Sequence, residues 1–147
     1  MAARTISWQE YHGMVVELDD RLQALHPKGS IYLHGIPRGG QLVALLLSYL
    51  SDRYVLVGEN LLCGPSTSQL VLVDDVLETG LTFQKYTSIP ATFAVLIDKS
   101  KANNIAPADV SIEEMVDRIW VKFPYEKLEM EQEAISQNQR GYDGKES

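Results

Sequence analysis

Two adjacent carboxylates, Asp74 and Asp75, end an apolar run in the stretch LVLVDDVLETGLT (residues 70–82), and the turn Thr79-Gly80-Leu81-Thr82 follows close behind. Like charges side by side at the end of a buried strand repel each other unless hydroxyl donors or a cation come between them. The turn asks for the opposite, because threonine hydroxyls and backbone N–H groups converging at a helix start make a nest for a phosphate. One end of the stretch takes donors or a metal, the other takes an anion, and a sugar phosphate with a free diol satisfies both. A second stretch, HGIPRGG (34–40), has related chemistry. Gly39 and Gly40 let backbone approach a ligand, the next helix offers N–H groups, and Arg38 adds a forked cation suited to phosphate. Taken alone, this second stretch reads equally well as an ordinary strand-to-helix turn.

The elements that must hold these residues alternate between helix and strand. Ser7 and Glu10 have capping-box spacing, and Trp8, Tyr11, Val15, Leu18, Leu22 and Leu25 recur at three and four residues, giving an amphipathic helix that Pro27 and Gly29 stop. SIYLHGI (30–36) reads as a strand and QLVALLLSYLSD (41–52) as a helix packed on a sheet. RYVLV (53–57) and QLVLV (69–73) are continuous apolar runs, as in strands covered on both faces. Residues 81–87 suggest a short helix, and TFAVLI (92–97) and RIWVKF (118–123) two further strands. This alternation predicts an α/β chain with a parallel sheet flanked by helices, whose ligand site lies at the carboxyl ends of the strands. Both loops above fall there. From Lys127 the sequence is polar and reads as a frayed helix followed by disorder, with no function assigned to it.

Composition bounds the rest. A chain of 147 residues with 45% hydrophobic content suits one domain. No apolar run approaches the ~18 residues of a membrane span, and the first residues lack the apolar core of a signal peptide, so a cytoplasmic protein is expected. The single cysteine, Cys63, has no disulfide or zinc companions and reads as a small hydrophobe. His12, His26 and His34 lack metal-ligand spacing and read as structural or exposed. A net charge of −7 argues against broad binding to nucleic acid or to an anionic membrane, while leaving room for a small basic pocket.

The run VLVDDVLETGLT, with Arg38-Gly39-Gly40 upstream of it, resembles the ribose-phosphate and pyrophosphate signatures of the type I phosphoribosyltransferases. The likeness implies that family's fold over residues 1–126, with a small hood at about residues 98–126, and leaves 127–147 as a tail. It implies transfer of phosphoribosyl from phosphoribosyl pyrophosphate to a nucleobase, with Glu78 and Arg38 as the catalytic pair. Asp74 and Asp75 then hold the 2′ and 3′ hydroxyls, and Glu78, Thr79, Gly80, Leu81 and Thr82 cradle the 5′-phosphate. Arg38, Gly39 and Gly40 take the departing pyrophosphate. Mg²⁺ is the implied cofactor, held by Asp74 and Asp75 through water. The likeness also marks Pro37–Arg38 as the candidate for a cis peptide and implies a homodimer.

The C-terminal third is similar to the hood of the 6-oxopurine branch, whose bases are guanine, xanthine and hypoxanthine. On that likeness Lys99 donates to the ring carbonyl, Trp120 stacks on the purine, the backbone of Val121 reads the ring edge, and Glu126 faces the base or metal. Lys99, Trp120 and Glu126 have plainer readings: a solvated loop lysine, an indole buried at a strand end, a glutamate pairing locally. Two features depart from the family pattern. Glu78 stands where purine-using members usually carry aspartate, and only 11 residues, GENLLCGPSTS, separate two strands where a lid is common. Out and back at about 3.4 Å per residue, that loop reaches at most about 18 Å. Three readings stay open: a purine salvage enzyme, a non-catalytic sensor of phosphoribosyl pyrophosphate or a nucleotide that regulates a partner, and a phosphoribosyltransferase for another heterocycle.

Overall fold

The computed structural model describes residues 3–62 and 69–126; Cys63, the rest of the short loop to residue 68 and the tail from Lys127 lie outside the described residues. In chain order the elements are β1 (Ala3–Thr5), α1 (Trp8–Leu25), β2 (Ile31–Gly35), α2 (Gly39–Leu50), β3 (Tyr54–Leu56), a 3-10 turn (Glu59–Leu61), β4 (Leu70–Leu77), α3 (Leu81–Gln84), β5 (Thr92–Asp98), α4 (Ser100–Asn103), β6 (Val110–Glu114) and β7 (Trp120–Lys122). The chain divides into two units, residues 13–118 and residues 1–12 with 119–147.

In the larger unit five strands form a parallel sheet in the order β3-β2-β4-β5-β6. Side chains alternate between the two sheet faces. One face carries Leu70, Leu72, Phe93 and Val95, which pack with Ile36, Leu62, Leu77 and Tyr86 into a buried cluster. The other carries Ile31, Leu33, Val71, Val73, Ala94 and Leu96, all fully buried. That side meets the helices: α2 packs on β2, β3 and β4 through Val43, Ala44 and Leu47, and Asp19 of α1 accepts a 2.5 Å hydrogen bond from the Tyr54 hydroxyl. With both faces covered, β2, β4 and β5 read as continuous apolar runs, which is why sequence reveals them; β3, expected to be covered in the same way, is an edge strand that exposes Val55 and Leu56. Each buried leucine or valine contributes about 1.5–3 kcal/mol, and Leu72→Ala should cost about 2–5 kcal/mol.

In the smaller unit β1 pairs in parallel with β7, from Ala3 opposite Trp120 to Thr5 opposite Lys122. Tyr11 packs edge-on against Trp8, Phe123 and Tyr125. The first turn of α1 is capped as its spacing predicts, with Glu10 N donating to Ser7 Oγ at 3.1 Å. Arg4 pairs with Glu10 at 2.9 Å and holds that carboxyl below its usual range.

Several expectations need adjusting. The strand expected at 118–123 is three residues long and joins β1, not the main sheet. The helix expected at 81–87 has helical hydrogen bonding only at Leu81–Gln84, with turns after it. β1, β6 and α4 were not anticipated.

Candidate functional site

The register of β4 explains where the acid pair sits. β2 ends at Gly35, opposite Val73, while β4 runs on to Leu77 with only β5 beside it. Asp74 and Asp75 therefore lie within the strand, in the stretch that has outrun its neighbour, and not after its end. That free margin at the carboxyl end of a parallel sheet is where ligands bind in α/β folds. Each carboxylate accepts a hydrogen bond from the next backbone N–H, Asp75 N to Asp74 Oδ1 at 2.8 Å and Val76 N to Asp75 Oδ1 at 2.7 Å. Burial, then the charge of Asp75, pushes the Asp74 carboxyl up to about 8. Asp74 thus holds a proton near neutral pH.

The second loop comes directly against the pair. Ile36 N donates to Val73 O, and the chain passes through a cis Pro37–Arg38 peptide, the bond singled out from the sequence, into α2. A Cβ placed on Gly39 would lie 1.9 Å from Asp75 Oδ2, so only glycine lets the loop touch the carboxylate. Arg38 caps α2 and is exposed. On the other side Gly80, at φ +78°, reverses the chain into α3, a conformation that costs a residue with a Cβ. Leu81 N donates to Thr79 Oγ1 at 3.4 Å.

A cavity of about 260 Å³ is lined by Arg38, Gly39, Asp74, Asp75, Glu78, Thr79, Gly80 and Thr82, with Pro37, Val76, Leu77, Phe83 and Phe93. The two loops singled out from the sequence thus share one cleft. Leu81 and Gly40 belong to the same loops without lining it; Leu81 is exposed and Gly40 buried. A larger open hollow of about 700 Å³ beside β6, lined in part by Arg21, Leu25, Asp109 and Ser111, contains none of these residues.

Lys99 is not among the residues lining the cleft. It is 2% exposed, so the solvated-loop reading does not hold, and its Nζ lies 2.8 Å from Glu78 Oε1. Backbone fixes both: Leu77 is the register partner of Asp98, and Lys99 N donates to Leu77 O at 2.8 Å, which sets residues 78 and 99 beside each other. Asp98, also buried, accepts from Ser100 N and Ala108 N and so shapes the turn after β5. Nothing in the separate roles expected for Glu78 and Lys99 announced this pairing; only the β4–β5 register does. Trp120, Val121 and Glu126 belong to the smaller unit, where Trp120 is 67% exposed, against the buried-indole reading, and Val121 is buried. Glu126 N donates to Phe123 O at 3.1 Å.

Among the described residues no group of three or more His, Cys, Asp or Glu is placed to hold a metal ion. The pair Asp74–Asp75 fits an ion completed by ligand oxygens and water, since a cation there would offset the burial and the like charge that keep Asp74 protonated. His34 is buried, its Nδ1 3.0 Å from Val57 O, and is structural. Among the described residues no helix is long and apolar enough to cross a membrane.

No family model matches the sequence, and no curated protein matches it. Solved structures do. The xanthine-guanine-hypoxanthine phosphoribosyltransferase of Helicobacter pylori superposes with a TM-score of 0.67 at 15% identity, over 89% of this chain and 97% of that one. A purine phosphoribosyltransferase from Pyrococcus horikoshii gives 0.65 at 21% identity, over 85% and 94%. A hypothetical protein from Neisseria gonorrhoeae with bound ppGpp gives 0.60 at 15% identity, over 85% and 90%. The chain has the fold of the type I phosphoribosyltransferases.

Proposed function

We propose that the protein is a Mg²⁺-dependent purine salvage phosphoribosyltransferase, a pentosyltransferase that joins a 6-oxopurine to C1 of phosphoribosyl pyrophosphate and releases pyrophosphate. The observation that carries this reading is the single cleft in which the Asp74–Asp75 pair, the Glu78–Thr82 turn and the Arg38-Gly39 loop meet. Asp74 and Asp75 accept from the ribose hydroxyls, the turn holds the 5′-phosphate, and Arg38 with the Gly39 and Gly40 backbone offsets charge on the leaving pyrophosphate. Bound Mg²⁺, held by Asp74 and Asp75 through water, would neutralise pyrophosphate oxygens. As the bond at C1 breaks, positive charge grows on the ribose, and carboxylates at Asp74 and Asp75, ionised when the cation is bound, would favour that state over the ground state. Lys99, Trp120, Val121 and Glu126 are the base-binding set on this reading. Residues 1–126 form the transferase domain with its hood at about 98–126, and the protein acts in the cytoplasm as a homodimer, without nucleic acid or membrane partners.

A second reading, a non-catalytic nucleotide sensor, is favoured by two observations: the fold neighbour with ppGpp bound, and the pairing of Lys99 with Glu78, which occupies the cation expected to meet a base. Incubation with Mg²⁺, phosphoribosyl pyrophosphate and guanine, xanthine, hypoxanthine or adenine separates the two. The enzyme reading expects a nucleoside monophosphate and pyrophosphate in equal amounts from a 6-oxopurine. Binding without product from any base supports the sensor.

A further inference from the structure

The turn Glu78–Thr82 has little of its own to hold it in place. The helix it enters, α3, is four residues long and buries none of them, far short of the roughly 12–15 residues at which a helix becomes marginally stable by itself. Among the described residues 81–90 only Tyr86 is buried, while Phe83 and Ile89 are half-buried. Contacts with other elements must therefore fix the position of the turn. Phe83 stacks on Phe93 of β5 with ring centroids 3.9 Å apart. That stack resists separation but, as an apolar contact, directs the chain weakly. The directional bonds lie at the two ends of the segment. Lys99 holds Glu78 at 2.8 Å at its start, and the Tyr86 hydroxyl donates to Glu59 Oε1 at 3.1 Å beyond its end.

Glu59 is a fixed acceptor. It opens the 3-10 turn Glu59–Leu61, and Leu62 N donates to its carbonyl at 3.2 Å. Two residues earlier, Val57 N donates to Leu33 O at 2.8 Å and Val57 O lies 3.0 Å from His34 Nδ1, which pins this part of the chain to β2. The Tyr86 ring lies 5.7 Å from the His34 ring and belongs to the buried cluster with Ile36, Leu72 and Leu77. Burial, then Glu59 and the charge of Asp74, hold the Tyr86 hydroxyl above the usual phenol range, so it stays a donor. Tyr86 thus joins the segment behind the turn to the ends of β2 and β3.

We propose that Tyr86 is a positioning residue for the ligand's 5′-phosphate: its bond to Glu59 holds the Glu78–Thr82 turn in the geometry that receives the phosphate. The inference rests on the ribose-phosphate reading of the cleft. A turn fixed in advance binds without first having to be ordered; one released from Glu59 is competent only part of the time, and affinity falls by that fraction. Titration calorimetry on the full chain, with ribose 5-phosphate and separately with pyrophosphate and Mg²⁺, tests it. Tyr86→Phe keeps the ring and removes the donor. It should bind ribose 5-phosphate about 10-fold more weakly, the loss that one hydrogen bond to a charged group implies, and pyrophosphate, placed at the Arg38-Gly39 loop, as wild type does. Glu59→Ala, at an exposed residue, should match it and gives the answer even if Tyr86→Phe misfolds. Glu59→Gln, whose amide oxygen still accepts the bond, should retain wild-type affinity, and the double variant Tyr86→Phe/Glu59→Ala should be no weaker than either single one. Unchanged affinity for ribose 5-phosphate in Tyr86→Phe and Glu59→Ala, or equal weakening of both ligands, would overturn the inference while leaving the cleft reading intact. A wild type that binds no ribose 5-phosphate would overturn both.

Discussion

Lys99 Nζ and Glu78 Oε1 form an ion pair 2.8 Å long whose lysine is buried and whose glutamate is about half exposed. The aspartate usual in purine-using members is one methylene shorter, so the longer side chain at position 78 gives this carboxylate the added reach. A base seeking the Lys99 ammonium must share it with Glu78 or displace that carboxylate. Glu78→Gln removes the carboxylate that the buried Lys99 ammonium meets at 2.8 Å. A fully buried pair would lose 3–5 kcal/mol, but water reaches Glu78, so a loss of about 1–2 kcal/mol is expected. Urea denaturation measures it, and a Glu78→Gln variant as stable as wild type would show that the pair contributes nothing.

Gly39→Ala should damage the cleft more than the fold. The added Cβ falls on the Asp75 carboxylate, which must swing away. Misplacement by about 1 Å can cost 10²-fold in rate, so phosphoribosyl transfer should drop by about that factor with a modest change in melting temperature. Normal transfer by the variant would separate Asp75 from the reaction.

The parts of this molecule legible in sequence are those whose residues are constrained locally. β2, β4 and β5 show as apolar runs because both sheet faces are covered, and α1 shows through its period and its Ser7–Glu10 cap. The acid pair and the Thr79-Gly80-Leu81-Thr82 turn stand out because few other settings suit them. β6, VSIEE, was missed because it is a half-buried edge with no apolar run, and β1, ART, because three residues carry no period. The strand at Trp120 was found but not its partner, since pairing is decided by tertiary structure. Lys99 hid for the same reason: its burial follows from the Leu77–Asp98 register, which joins residues 21 apart.

Stability of the metal-free protein should fall as pH rises. The folded Asp74 titrates near 8, the unfolded one near about 3.9. Between those values the folded state holds a proton the unfolded chain has released, so the contribution of this group is complete below about pH 4 and is lost as pH climbs through about 8. Asp74→Asn should flatten this trend and leave the protein more stable than wild type at about pH 8. Denaturation curves in chelator at several pH values provide the check; a variant that is less stable than wild type at pH 8 contradicts it.

Base selection should separate Lys99 from Trp120. If Lys99 donates to a 6-oxo group, adenine is refused, because a site built for one hydrogen-bond pattern can reject the wrong one by about 10⁴-fold. Lys99→Ala should then lower turnover of 6-oxopurines while leaving affinity for phosphoribosyl pyrophosphate nearly unchanged. Trp120→Ala should weaken all purines alike, since stacking ignores the 6-substituent. Steady-state kinetics with four bases decide it. Adenine as best substrate, or a Lys99→Ala variant that behaves as wild type, would remove the 6-oxopurine assignment.

The claim beneath all of these is that the Asp74–Asp75 cleft binds a ribose phosphate. Titration calorimetry of phosphoribosyl pyrophosphate with Mg²⁺, against wild type and the double variant Asp74→Asn/Asp75→Asn, tests it without requiring turnover. Hydrogen bonds to charged groups contribute about 1.5–3 kcal/mol each, so the double variant should bind at least about 100-fold more weakly while melting no lower than wild type. Equal affinity in the two proteins, or no binding by wild type, would contradict the account.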